Sequence, residues 1–250
     1  MGDCRVPLNK KFFRFSLKAF LIVLTVFCVW FGTVSKEARR QKEAVEWVEK
    51  NGGRVGYEWQ IRADGSCDYD AVAPWPAFAN DYLHSVIYVF APGLDLTDIS
   101  QLEKLPNLID LELADNPISD LRPLASLNRL EKLRLEDAEL SDLSPIFQLT
   151  NLKDLSLRTS GITDISGIES LSNLVELNLF GNEIVDVSAL SKLTALRGLD
   201  IGNNKIQDCS PIKKLTTLIY LELRYNPCTE AQINDIKLAL PSTEFAKPLN

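Results

Sequence analysis

The chain has 250 residues, of which 46% are hydrophobic and 24% charged, the proportions of an ordinary folded protein with room for one elongated domain or two compact ones. Its formal net charge of -7 is unevenly spread: residues 1–50 hold ten Lys/Arg and five Asp/Glu, and residues 51–250 hold 17 and 29. The acidic bulk argues against nucleic acid, whose binders present basic faces, and the single histidine, His84, leaves no His–His metal pair.

Residues 1–11 form a basic tail and residues 12–34 a hydrophobic segment with the strictly apolar run Ala19–Phe31 broken only by Thr25. At about 1.5 Å per residue the stretch from Phe12 to Val34 reaches roughly 34 Å, enough for a bilayer core of about 30 Å. Arg14 and Lys18, four apart, share one helix face near one end and can snorkel to the headgroups, while Trp30 sits where an aromatic belt lies. A cleaved signal peptide is the alternative; its cleavage site would be Thr33-Val34-Ser35, a poor match to the usual small-residue pattern. The residues before Cys28 also lack the small residue that a lipoprotein site needs. We therefore read 12–34 as an uncleaved single-pass anchor. Five basic residues before it (Arg5, Lys10, Lys11, Arg14, Lys18) against four after it (Lys36, Arg39, Arg40, Lys42) place the N-terminus in the cytoplasm and the rest periplasmic or extracellular.

Residues 35–53 read as a solvated helical spacer with a thin stripe of Ala38, Val45 and Val48, stopped by Asn51-Gly52-Gly53. Residues 54–85 read as an N-terminal cap, with RVGYEWQIR as a strand and Asp64-Gly65 as a turn.

From Leu108 the sequence repeats every 22 residues. Leucine stands at 108, 130, 152, 174, 196 and 218, and again three residues on at 111, 133, 155, 177, 199 and 221; Leu113, Leu135, Leu157, Leu179, Ile201 and Leu223 follow two later. Such an L-x-L step is a strand with alternate residues inward. One unit cannot bury its leucines alone, but stacked units share a continuous core. The return path is too short for a long helix and predicts 3₁₀ or irregular turns. A degenerate first repeat begins at Val86, repeats run over 86–228, and residues 229–250 hold a C-terminal capping helix and tail, opened by the capping-box spacing Thr229–Gln232 and ended by Pro241.

The motif in Leu108–Leu124 (LIDLELADNPISDLRPL) and Leu174–Leu190 (LVELNLFGNEIVDVSAL) resembles the bacterial internalin-type leucine-rich repeat. The resemblance covers about residues 86–240. It implies an α/β solenoid, a right-handed horseshoe whose parallel sheet binds other proteins on its concave side. Chains with a hydrophobic leader before such repeats are similar to predicted bacterial envelope proteins. The family's asparagine, whose side chain bonds backbone along the stack, stands at 116, 182, 204 and 226 but is Ala138 and Ser160 in the middle, where the resemblance implies a broken ladder.

Several residues invite chemistry. Asp98, Asp120, Asp142, Asp164, Asp186 and Asp208 recur with the repeat and would stack in a row, as in a calcium site or acid–base pair; each also opens a turn, where Asp accepts backbone N–H bonds, and that reading is the stronger. Cys209 and Cys228 occupy core positions and read as free thiols, a disulfide being the alternative. No phosphate loop, nucleophile elbow or metal cluster is present, so neither catalysis nor a cofactor is expected. The expected function is protein or surface-ligand binding on the concave face through Arg134, Arg158, Glu176, Phe180, Tyr220 and Arg224, since aromatic and Arg residues are typical interface anchors. A cytoplasm-facing regulatory subunit whose repeats control an enzyme is the competing reading. No nucleic-acid or small-molecule partner is expected.

Overall fold

The computed structural model describes residues 17–61, 68, 71 and 84–246, without the side chains of residues 17–20, 23, 30 and 31. The basic tail 1–11, the start of the expected span 12–34 and much of the segment 54–85 lie outside the described residues.

Each L-x-L step forms a three-residue strand: β3 (Asp110–Glu112), β4 (Lys132–Arg134), β5 (Asp154–Ser156), β6 (Glu176–Asn178), β7 (Gly198–Asp200) and β8 (Tyr220–Glu222). β2 (Val86–Phe90) precedes them, and a short β9 (Glu244–Phe245) follows. From β2 to β9 neighbours are parallel in chain order; β1 (Arg54–Tyr57) closes the sheet antiparallel to β2. The register advances by one repeat per strand, so Asp110 faces Lys132, Lys132 faces Asp154, and the row continues through Glu176 and Gly198 to Tyr220. The central leucines Leu111, Leu133, Leu155, Leu177, Leu199 and Leu221 point the other way and are no more than 2% exposed. Burying each contributes about 1.5–3 kcal/mol.

On the convex side the chain returns through 3₁₀ segments such as Arg122–Ser126, Ile168–Ser170 and Ser188–Lys192. Their entry explains the recurring aspartates. Asp98, Asp120, Asp142, Asp164, Asp186 and Asp208 each accept the backbone N–H two residues on, at 2.8–3.0 Å. A left-handed residue recurs as well, at Gly93, Asp115, Asp137, Thr159, Gly181, Asn203 and Tyr225. The chain leaves each strand there, just before the asparagine position. Glycine and Asn tolerate this geometry; the β-branched Thr159 (φ 48°) and the bulky Tyr225 (φ 59°) are strained in it.

The asparagine ladder ties repeat to repeat. Asn182 accepts the N–H groups of Ser160 and Ile162 through Oδ1 and donates through Nδ2 to the carbonyls of Leu157 and Leu179. Asn116 makes the same four bonds, to Leu94 and Leu96 and to Ala91 and Leu113. The expected break at Ser160 is only half a break: its hydroxyl donates to the Leu135 carbonyl at 2.9 Å, the bond that an Asn amide would make. At Ala138 there is no side-chain donor, and Ile118 N–H turns to the Asn116 carbonyl instead, at 2.7 Å.

Each end of the solenoid carries a helix. α1 (Leu17–Lys50) is one unbroken 34-residue helix, so no break separates an anchor from a spacer. Its second half is not solvated as the sequence suggested: Ala44, Val45 and Val48 are at most 6% exposed and belong to the core. The thin stripe meets the open edge of the first repeat, whose apolar residues would otherwise face water. Gln41 fastens it, donating to the His84 carbonyl at 2.8 Å and accepting Val86 N–H at 3.0 Å, and Lys104 pairs with Glu43 at 2.7 Å. At the far end α2 (Glu230–Ala239) starts at a capping box between Thr229 and Gln232 and buries Ile236. Among the described residues no helix is long and apolar enough to cross a membrane.

The concave face as candidate binding site

The strands place three tracks of side chains on the concave face. One is Asp110, Lys132, Asp154, Glu176, Gly198 and Tyr220; the next is Glu112, Arg134, Ser156, Asn178, Asp200 and Glu222. Just beyond the strands follow Ala114, Glu136, Arg158, Phe180, Gly202 and Arg224. β2 extends the first two with Tyr88 and Phe90, opposite Asp110 and Glu112. Sequence reading missed these aromatics because the degenerate first repeat lacks the L-x-L step; the outward alternation in Val86–Phe90 was the available signal.

The three arginines singled out from the sequence are already engaged with carboxylates of their own sheet. Arg134 lies 3.8 Å from Asp110, 3.4 Å from Glu112 and 3.2 Å from Asp154, bridging three strands. Arg158 reaches Glu136 at 4.0 Å and stacks over the Phe180 ring, 5.4 Å from its centroid. Arg224 folds back on Glu222, whose carboxylate is almost fully buried. Phe180 is half-buried rather than projecting into water, held between Arg158 and Gly202. Neither Gly198 nor Gly202 leaves open space on the sheet. A Cβ on Gly198 would sit 1.7 Å from Glu176 Oε2, and one on Gly202 would sit 3.0 Å from Phe180 Cδ2. The missing side chain lets the longer neighbour fold over the gap.

What remains accessible is the centre of the face. Arg134, Glu136, Asp154, Ser156, Glu176, Asn178, Gly198, Asp200 and Tyr220 line a shallow hollow of about 360 Å³. Tyr220 is 41% exposed at its edge. Burial raises the carboxyl pKa of Asp110, Glu112, Glu176 and Asp200 above the ordinary range, most directly because water is removed from the charged form. On the convex side the direction reverses. Hydrogen bonds from Arg122 hold Asp120 at about 2, the N–H bonds of the 3₁₀ entries lower Asp98, Asp142 and Asp208, and the Ser166 side chain together with its N–H lowers Asp164.

Away from the concave face the other conspicuous residues have structural partners. His84 Nδ1 lies 3.5 Å from Glu58 Oε1. Cys209 and Cys228 are free thiols; Cys228 donates to the Ile206 carbonyl at 3.3 Å, and burial beside Cys209 pushes it up to about 12. Among the described residues no group of three or more His, Cys, Asp or Glu side chains is placed to hold a metal.

A family profile for two copies of the leucine-rich repeat matches residues 150–192 and 172–214. No curated protein matches the chain in sequence. Among solved structures, an internalin (inlF) of Listeria monocytogenes superimposes with a TM-score of 0.60 at 31% identity, over 67% of this chain and 51% of that one. The chain thus spans about half of that relative's length. Internalin C2 of the same organism also gives 0.60, at 28% identity over 82% of this chain and 81% of its own. A leucine-rich-repeat protein of Leptospira interrogans gives 0.51 at 27% identity, over 59% of this chain and 45% of that one. The chain is a leucine-rich-repeat solenoid, similar in fold to the Listeria internalins.

Proposed function

We propose that the chain is a membrane-tethered, non-catalytic binding module, displayed outside the cytoplasm, whose concave sheet takes a protein or another surface ligand. The observation that carries this reading is the uncovered face of β3–β8: α1 and α2 pack at the two ends of the solenoid, and no described element lies across the concave side. An uncovered sheet face rich in charged and aromatic side chains is a recognition surface. The tether rests on the first half of α1. Leu21, Ile22, Leu24, Val26, Phe27 and Val29 are 44–64% exposed there, and at about 100° per residue they point all round the helix. Lipid on every side satisfies that pattern; a single protein groove would cover one stripe. The span from Phe12 to Val34 begins in residues outside those described.

The full chain should stay in the membrane fraction after carbonate washing, and protease added to intact spheroplasts should remove the repeats. Full protection of the repeats would place them in the cytoplasm and favour a regulatory subunit that controls an enzyme. Release by carbonate would remove the tether.

A further inference from the structure

We infer that the centre of the concave face, around Glu176, Asp200 and Tyr220, receives a lysine or arginine side chain from a basic peptide segment of the partner. This rests on the concave face being the binding surface and gives that surface a sign. The charges on the face pair off from the edges inward. Arg134 is held by Asp110, Glu112 and Asp154, Arg158 by Glu136, and Arg224 by Glu222. Among the described residues Glu176 and Asp200, on adjacent strands, have no ion pair within 4.0 Å, although the charges of Arg197 on Glu176 and of Arg158 and Arg224 on Asp200 are felt from further off; Asp200 accepts Gly202 N–H at 3.0 Å, and Glu176 lies over the bare backbone of Gly198. Lys132, the exposed cation of the same track, is two strands from Glu176, roughly 9.6 Å away.

The exposed Glu176 and the half-buried Asp200 thus flank a hollow of about 360 Å³ with a tyrosine at its edge. A cation entering it would neutralise the two charges, while its alkyl stem lies on the Tyr220 ring, exposed to 41%. The same face shows the arrangement once internally, where Arg158 covers Phe180. An acidic partner would meet two carboxylates without ion-pair partners at the centre of the contact. Arg134 and Arg224, which look like anchors in the sequence, are tied to carboxylates of the sheet, and Arg158 lies over Phe180, so the sign of the partner is opposite to the one they suggest.

The test uses the full chain in a zwitterionic detergent, with N-acetylated hexalysine as the probe and hexaglutamate as its counterpart, titrated at 0.15 M salt. Hexalysine should bind and hexaglutamate should not. Glu176→Gln with Asp200→Asn should weaken hexalysine at least tenfold, while Asp142→Asn with Asp164→Asn, on the convex side, should change it less than twofold. Tyr220→Phe should retain binding and Tyr220→Ala lose several-fold. Amide exchange with saturating hexalysine should show protection in β6–β8. Equal losses in both carboxylate pairs would mean diffuse attraction to an acidic protein and would overturn the inference. Protection in the concave strands that survives Glu176→Gln with Asp200→Asn would sink the cation site and keep the concave reading. Protection confined to the convex segments would sink both. Melting temperatures that leave every variant folded under the titration conditions guard against trivial unfolding.

Discussion

Removing one rung of the asparagine ladder measures how much of the solenoid is held by buried polar bonds rather than by leucine packing. Asn182 is 5% exposed. Its Oδ1 accepts Ser160 N–H at 3.0 Å and Ile162 N–H at 3.1 Å, and its Nδ2 donates to Leu157 O at 2.8 Å and Leu179 O at 2.9 Å. In Asn182→Ala both buried N–H groups lose this acceptor. Each orphaned buried donor costs about 1–3 kcal/mol, so the loss should be about 3–4 kcal/mol. A domain of this size shifts its Tm by about 2–4 °C per kcal/mol, which predicts a drop of about 10 °C. Thermal and urea unfolding followed by circular dichroism measure it. The matched control is Asn151→Ala, whose exposed amide donates a single bond to the Asn128 carbonyl. Ala138→Asn is the converse: it offers an acceptor to the N–H groups of Asn116 and Ile118 and should add about 1–2 kcal/mol. If Asn182→Ala costs no more than Asn151→Ala, the ladder is not a stabilising element and leucine packing alone holds the stack.

Four further outcomes follow from the same geometry. Phe180→Ala should cost about 1 kcal/mol, because the ring is half-buried against Gly202 and Arg158, whereas Leu179→Ala should cost about 2–5 kcal/mol; equal losses would contradict the assigned faces. Tyr225→Gly should raise the Tm by about 2–4 °C by relieving a left-handed bulky residue at φ 59°, and a fall would show that its exposed ring is structurally required. Stability should drop modestly as pH falls below about 4: the depressed carboxyls of Asp98, Asp120, Asp142, Asp164 and Asp208 stabilise the fold above their unfolded pKa of about 3.9, solvent screening keeps each contribution small, and this is lost as pH falls through their folded values. Asp110, Glu112, Glu176 and Asp200 act in the other direction, since their raised folded pKa values favour the protonated form, so Tm should hold or rise slightly between pH 7 and 5; Asp200→Asn should remove part of that rise, and a steady decline from pH 7 would contradict the assignment.

The 22-residue period determined by itself that the chain stacks into a parallel-stranded solenoid. A leucine in every inward position has nowhere to go except against the next repeat, and the strand tracks follow from side chains alternating across a strand. The turn-opening role of the aspartates was also legible, because a carboxylate two residues before a backbone N–H is a local arrangement. What the sequence left undecided is everything that depends on which side chain meets which across strands. Arg134, Arg158 and Arg224 look like free anchors in one dimension, yet each finds a carboxylate one repeat away or two residues back. The space above Gly198 looks open, yet Glu176 fills it. Ser160 looks like a gap in the ladder, yet its hydroxyl reaches the carbonyl 25 residues earlier. The stripe of Ala38, Val45 and Val48 looks too thin to pack, yet the exposed edge of the first repeat gives it a surface to cover. Periodicity fixes the distance between equivalent positions, and so the fold; pairing between non-equivalent side chains depends on their lengths and on the room their neighbours leave, which only the stacked structure decides.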